Sequence, residues 1–467
     1  MSRLRGDTGQ TASIVGALAA PHVPSSWPRA NGDVAEARLP PGALVLAAAL
    51  PLVFLHSRYQ PDLGFGAGGT RVSITLSDLA VLAVVLAAIA TARRTGLAPL
   101  RRGLPVWLSA AALLAVVLVS ISYPLLRDQP YDWHARLVSA LKFCEYATLA
   151  PAVALLVPRA RDAFFPLRAL IAWGVAATAW GVLQYVGLVH QFLGHRPAER
   201  EPSFLGFHDF AALSGALLAL GFVAIALRDD DLLDRRWTTV AVAAGGLGIV
   251  VSGAMTAVIG VWLALAAVGY VAHRRHALAR RAAAILVTAA LLVTLGTAAM
   301  RGSALRDFAS FLGLTRNPTP GAVESYSQRT VLGYIGLRIF LTEPVTGVGY
   351  QGSSDEFAYG PQLAAARHRF PDQPADAFPS PAHPWGVQNL YVQALADLGV
   401  IGVAVLGLLF AAALWIGIRG GATSSLALVG VAWLLVAAGV WNGLGIVPGI
   451  PLAAVTWLGF GLATVHE

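Results

Sequence analysis

The residues best suited to chemistry gather in one late stretch of the chain. SQRTVLGYIGLRIFLTEPVTGVGY, from Ser327 to Tyr350, carries Arg329 and Arg338, and about forty residues later QNLYVQALADLGVIG runs from Gln388 to Gly402. A guanidinium presents a planar fork that binds anionic oxygens two at a time. Histidine titrates near neutral pH and suits the removal of a proton from a hydroxyl. The histidine placed for that work is His383, in PDQPADAFPSPAHPWG, whereas His368 sits in ARHRF among charged neighbours. Trp385 offers a ring to the C–H face of a sugar or to a membrane interface. Asn389 either caps the helix that follows or, with Tyr391, contacts a ligand. Arg329 and Arg338 are nine residues apart on one predicted helix. At about 100° per residue they point to opposite sides, so they do not grip one anion together. No carboxylate pair has a glycosidase pattern, and no Asp-x-Asp or His-x-x-x-His spacing argues for a metal, so chemistry without metal or cofactor is the expectation.

The elements that position these residues are membrane helices. With 56% hydrophobic residues, 12% charged and a mean hydropathy of +0.65 over 467 residues, the chain has more apolar surface than a soluble fold can bury. The expected fold is all-α, with about twelve spans near 42 to 57, 76 to 92, 104 to 123, 135 to 157, 165 to 187, 207 to 227, 282 to 300, 388 to 416, 424 to 441 and 443 to 464. Two more make a hairpin from Trp237 to Ala272, too long for one crossing, which turns near Ser252 and Gly253. Residues 1–40 read as a disordered cytoplasmic tail, 41–300 as nine spans, 301–387 as an extracytoplasmic loop containing helices, and 388–467 as the last three spans. The net charge of +8 is scattered in clusters between spans, which argues against nucleic acid. Arg93 to Arg102, Arg159 and Arg161, Arg235 and Arg236, and Arg274 to Arg281 fall on one side by span parity. That side is the cytoplasm, and both termini share it. Cys144 is the single cysteine, so no intramolecular disulfide forms. Lys142 and Glu145, at helical spacing inside the fourth span, are expected to neutralise each other, and Asp78 to favour a helix N-terminus.

The paired stretches at 327–350 and 388–402 resemble the O-antigen ligase and polymerase superfamily, where an arginine precedes a helix ending in a PLTGVG-like turn and a His-Asn dipeptide opens a later helix. REPSFLGFHDFAALSG, from Arg200, is similar to the family's Arg-x-x-Gly-x-Phe-x-x-x-Asn segment, with Ser203 and Asp209 in place of the glycine and asparagine. SGAMTAVIG, from Ser252, has Met255 where the family often has arginine, and Gln388 stands where it has histidine. The resemblance implies a GT-C-like membrane glycosyltransferase in a bacterial cytoplasmic membrane. Its donor would be a polyprenyl-diphosphate-linked glycan and its acceptor a glycan, lipid or protein hydroxyl. Arg200 and Arg329, at the family's arginine positions, and Arg338 would meet the diphosphate; Asn389, Tyr391 and Trp385 would meet sugar, and His383 would stand in for the missing histidine. Ligase and polymerase remain alternatives. A transporter or flippase, or a silent envelope-assembly scaffold, is the competing reading.

Overall fold

The computed structural model describes residues 40–56, 60–67, 70–190, 197–229, 232–314 and 325–466. All but the last residue of the expected N-terminal tail lies outside them. Helix α1 (Pro41–Val53) leads into an antiparallel hairpin, β1 (Asp62–Ala67) and β2 (Thr70–Thr75), with Asp62 opposite Thr75. This hairpin is the departure from an all-α expectation. Then come α2 (Leu76–Thr95), α3 (Leu104–Ser120), α4 (Ser122–Leu125), α5 (Trp133–Ala147), α6 (Leu149–Leu156), α7 (Ala160–Tyr185), α8 (Phe207–Leu227), α9 (Arg235–Ser252), α10 (Met255–Arg274) and α11 (Arg280–Met300). The long loop folds as α12 (Gly302–Phe311), α13 (Ser325–Thr342), α14 (Glu356–Tyr359) and α15 (Leu363–Arg369). The chain ends in α16 (Leu390–Gly420), α17 (Ser425–Trp441) and α18 (Pro451–Ala463).

Helices occupy every stretch expected to span, but among the described residues length and hydropathy qualify eight as crossings. α1, α17 and α18 have 13, 17 and 13 residues, about 20 to 26 Å of helix against a core of about 30 Å. Similar hydropathy serves two environments. The most apolar stretch of α8 is 89% buried against α9, α10 and α17, whereas that of α11 or α16 is 22% buried and leaves most of its surface for lipid. The expected turn between α9 and α10 falls at Gly253, whose φ of 61° suits glycine.

Two expectations need correction. Lys142 pairs with Asp78, Nζ to Oδ2 at 3.1 Å, and not with Glu145. Asp78 also closes a capping box with Thr75, so one carboxylate both starts α2 and neutralises α5. The last helix begins at Pro451 instead of near 443, because Gly443, Gly445, Pro448 and Gly449 deny residues 442–450 a regular helix. Side chains satisfy the backbone they leave open: Gln393 accepts from Ile446 N at 2.6 Å, Gln351 donates to Ile446 O at 3.2 Å, and buried Asp209 accepts from Leu452 N at 2.9 Å. Irregular backbone at this depth persists only with such partners.

Candidate functional site

The two motif halves of the late stretch interlock. α16 is broken at Gly399 (φ 63°, ψ −163°), and residues 344–349 lie across the break. Val348 N and Gly349 N donate to Ala396 O and Asp397 O, while Val400 N and Ile401 N donate to Pro344 O and Val345 O. Both glycines are obligatory: a Cβ on Gly399 would stand 2.3 Å from Val345 O, and one on Gly347 would stand 2.4 Å from Asp397 O. Asp397, fully buried, fastens the next turn by accepting from Gln351 N (3.0 Å), Ser353 N (2.9 Å) and Gln393 Nε2 (2.9 Å). From α5, Arg136 donates to Gln351, Ser354 and Asp355. Burial raises the Asp355 carboxyl above the usual carboxylate range while Arg136 draws it down.

This frame fixes the start of α13 against α8 and α16. Arg329 donates through Nε to Gln388 Oε1 at 3.2 Å, and its Nη2 lies 3.3 Å from His208 Nε2. Guanidinium nitrogens only donate, so this contact makes Nε2 the acceptor and leaves the imidazole proton on Nδ1, a buried atom with no hydrogen-bond partner among the described residues. Gln388, the departure from the family's dipeptide, is thus the anchor of the arginine. Arg200 stacks on Phe207, 4.1 Å from the ring centroid, within electrostatic reach of His208. Asn389 caps α16, accepting from Tyr391 N and Val392 N, and donates to Asn442; Tyr391 donates its hydroxyl to Ala438 O.

The other candidates stand apart. Arg338 turns to the far side of α13, as its spacing requires, and donates to Gln362 Oε1 at 3.0 Å. His383 is exposed in a tight turn with Ser380 and stacks on Trp385 with ring centroids 5.9 Å apart. The structure does not bring His383 to Arg329, whose side-chain partners include His208 and Gln388. Sequence reasoning passed over His208; the available signal was its place beside Asp209 in the segment that begins with Arg200.

A cavity of about 1630 Å³ opens beside this cluster, with Arg200, Arg301 and Arg369 and the acidic Glu199, Asp307 and Asp372 on its wall. The neighbouring Glu201 carboxyl is buried, and burial together with the Glu199 charge pushes it up to about 7. Among the described residues no cluster of three His, Cys, Asp or Glu side chains has the arrangement of a metal site.

A bundle of apolar helices carrying an interlocked loop with an anchored arginine at one end defines an integral membrane protein with a site at the helix ends. Residues 240–407 match the family model described as O-antigen ligase. That segment, which holds Arg329, Gln388 and the α16 break, thus resembles the O-antigen ligase superfamily, a family of membrane enzymes. Arg200 and His208 precede the matched segment. No curated protein matches the chain.

Proposed function

We propose that this protein transfers glycan from a polyprenyl-diphosphate carrier to an acceptor hydroxyl on the outer face of a bacterial cytoplasmic membrane, with both termini in the cytoplasm. The observation that carries this reading is Arg329, held between Gln388 and His208 where the two halves of the family motif meet. In the reaction the bond from the anomeric carbon to the diphosphate oxygen breaks and its electron pair leaves with the diphosphate. The acceptor oxygen forms the new bond to that carbon and gives up its proton. Arg329 and Arg200 bind the diphosphate and stabilise the charge that grows on it. His208 takes the proton through Nε2 once Arg329 turns its donors onto the phosphate oxygens. His383, exposed beside Trp385, meets the glycan at the mouth of the site, together with Asn389 and Tyr391 on the rim of α16.

The competing transporter reading draws on charge inside the spans, and the pairing of Lys142 with Asp78 at a helix start accounts structurally for the lysine. The test is glycan transfer in membranes supplied with lipid-linked donor. His208→Ala is expected to lower the rate by roughly 10²-fold or more with the protein still at full abundance. Unchanged transfer in this variant removes His208 from the chemistry. Cytoplasmic labelling of a cysteine placed at Ser380, with Cys144 replaced, would overturn the orientation and the reaction with it.

A further inference from the structure

Arginines at this end of the bundle lie to two sides of α13. Arg329 turns from α13 toward α8 and α16. Thr330, Gly333, Tyr334 and Leu337, spaced three and four residues apart on another face, turn toward the cavity that also holds Arg301. Arg301 joins α11 to α12. Among the described residues its buried Nε has no hydrogen-bond partner and no ion pair includes it, although Glu199, Asp307 and Asp372 share the cavity wall. Its guanidinium lies 5.1 Å from the ring centroid of Tyr326, an orientation that steadies the cation without neutralising it.

A second arginine lines the same cavity. A Cβ on Gly253 would meet Arg200 Cβ at 2.9 Å and Arg301 Cδ at 3.2 Å, so the two arginine stems pass one glycine side by side. A buried guanidinium nitrogen without an acceptor, in a cavity that another arginine also lines, is a costly arrangement that an anion relieves. Phosphate fits it, because its oxygens accept from two guanidinium forks at once. The phosphate can come free in solution or on a lipid. Met300, Leu312 and Leu337 line the same cavity at the end of the α11 span, and Leu312 and Leu337 are 53% and 44% exposed. That apolar rim favours the lipid.

We propose that Arg301 forms a second phosphate-binding subsite, which holds the headgroup of a lipid-linked acceptor while the Arg329 position holds the donor, with the donors of Arg200 shared between the two phosphates. The word acceptor rests on the glycan-transfer reading; the subsite itself does not. The acceptor is then a phosphate-bearing lipid and not a protein side chain.

The test uses the full chain in phosphatidylcholine nanodiscs and radiolabelled farnesyl diphosphate as the probe, counted by scintillation proximity. Wild type is expected to bind two probes per chain. Arg301→Gln should lose one of them, with affinity there falling roughly ten- to hundredfold, and Arg329→Gln should lose the other. Arg301→Lys, which keeps the charge, should retain two with the Arg301 site weakened, so that a folding defect in the glutamine variant does not decide the matter. Inorganic pyrophosphate should compete at the Arg301 subsite roughly tenfold less well than the lipid-borne probe. Equal competition overturns the lipid assignment. A single wild-type site that Arg329→Gln abolishes and Arg301→Gln leaves intact overturns the subsite and leaves the transfer reading standing; a site indifferent to Arg329→Gln removes the donor position instead.

Discussion

The start of α13 and the turn at Ser380–His383 belong to the same long loop and are built in opposite ways. Arg329 is held by residues 59 and 121 positions away in the chain, one in the loop before α16 and one in the first turn of α8. His383 is held by Ser380, three positions away, and by stacking on Trp385. A side chain fixed by distant elements keeps its place only because the whole fold is made, and such preorganisation is what stabilisation of a transition-state charge requires. A side chain in a local turn has the freedom of that turn. The largest effect expected from this contrast is on rate: Arg329→Ala should lower glycan transfer by roughly 10²- to 10³-fold, while His383→Ala should leave it within about twofold, the size of an exposed polar contact. Initial rates in membranes with the lipid-linked donor measure both. A loss in His383→Ala comparable to that of Arg329→Ala would break the contrast.

The next effect is on stability, where the held region depends on Asp397. Replacing it with alanine strands Gln351 N, Ser353 N and the Gln393 amide. Each orphaned buried donor costs about 1 to 3 kcal/mol, so Asp397→Ala should destabilise the protein by roughly 3 kcal/mol or more. The reading is the temperature at which the solubilised protein loses its monodisperse elution peak. The matching change in the local turn, Ser380→Ala, removes one exposed hydrogen bond to His383 N and should shift that temperature very little. Equal shifts would mean that the α16 break is not what holds the loop.

Much of this was legible in one dimension. Hydropathy located the helices, and the family motif led to Arg329, because both are properties of short windows. Three features were not. The break in α16 is invisible as a break, since Gly399 sits in a run that reads as continuous helix and only the arrival of residues 344–349 makes its conformation favourable. PVTGVG read alone is a helix stop; its second use, splicing another helix, appears only with its partner present. Lys142 has Glu145 one turn away, yet Asp78, 64 positions back, offers a carboxylate already oriented by Thr75, so a long-range partner displaces a local one. His208 escaped for a related reason: Arg329, the side chain it contacts, lies 121 residues on.

Glu201 sharpens the contrast from a third side. It is fully buried, next to Arg200 in sequence, and its backbone N–H donates to Val251 O. Like Arg329 it is placed by the fold, but burial works against its charge, and the carboxyl is pushed from 4.5 up to about 7. Below about pH 4.5 the side chain is protonated in both folded and unfolded chains, and its contribution is fully present. Between 4.5 and about 7 the unfolded chain has released the proton while the folded chain keeps it, so the contribution is lost as pH rises and is gone above the folded value. Glu201→Gln removes the titration and keeps the shape. The melting temperature of wild type relative to Glu201→Gln should therefore fall across that window and run level on either side of it. A difference that stays flat from pH 4 to pH 8 would mean that charged partners compensate for burial at this position, which would place Glu201 among the groups held by charge instead of among those held by packing.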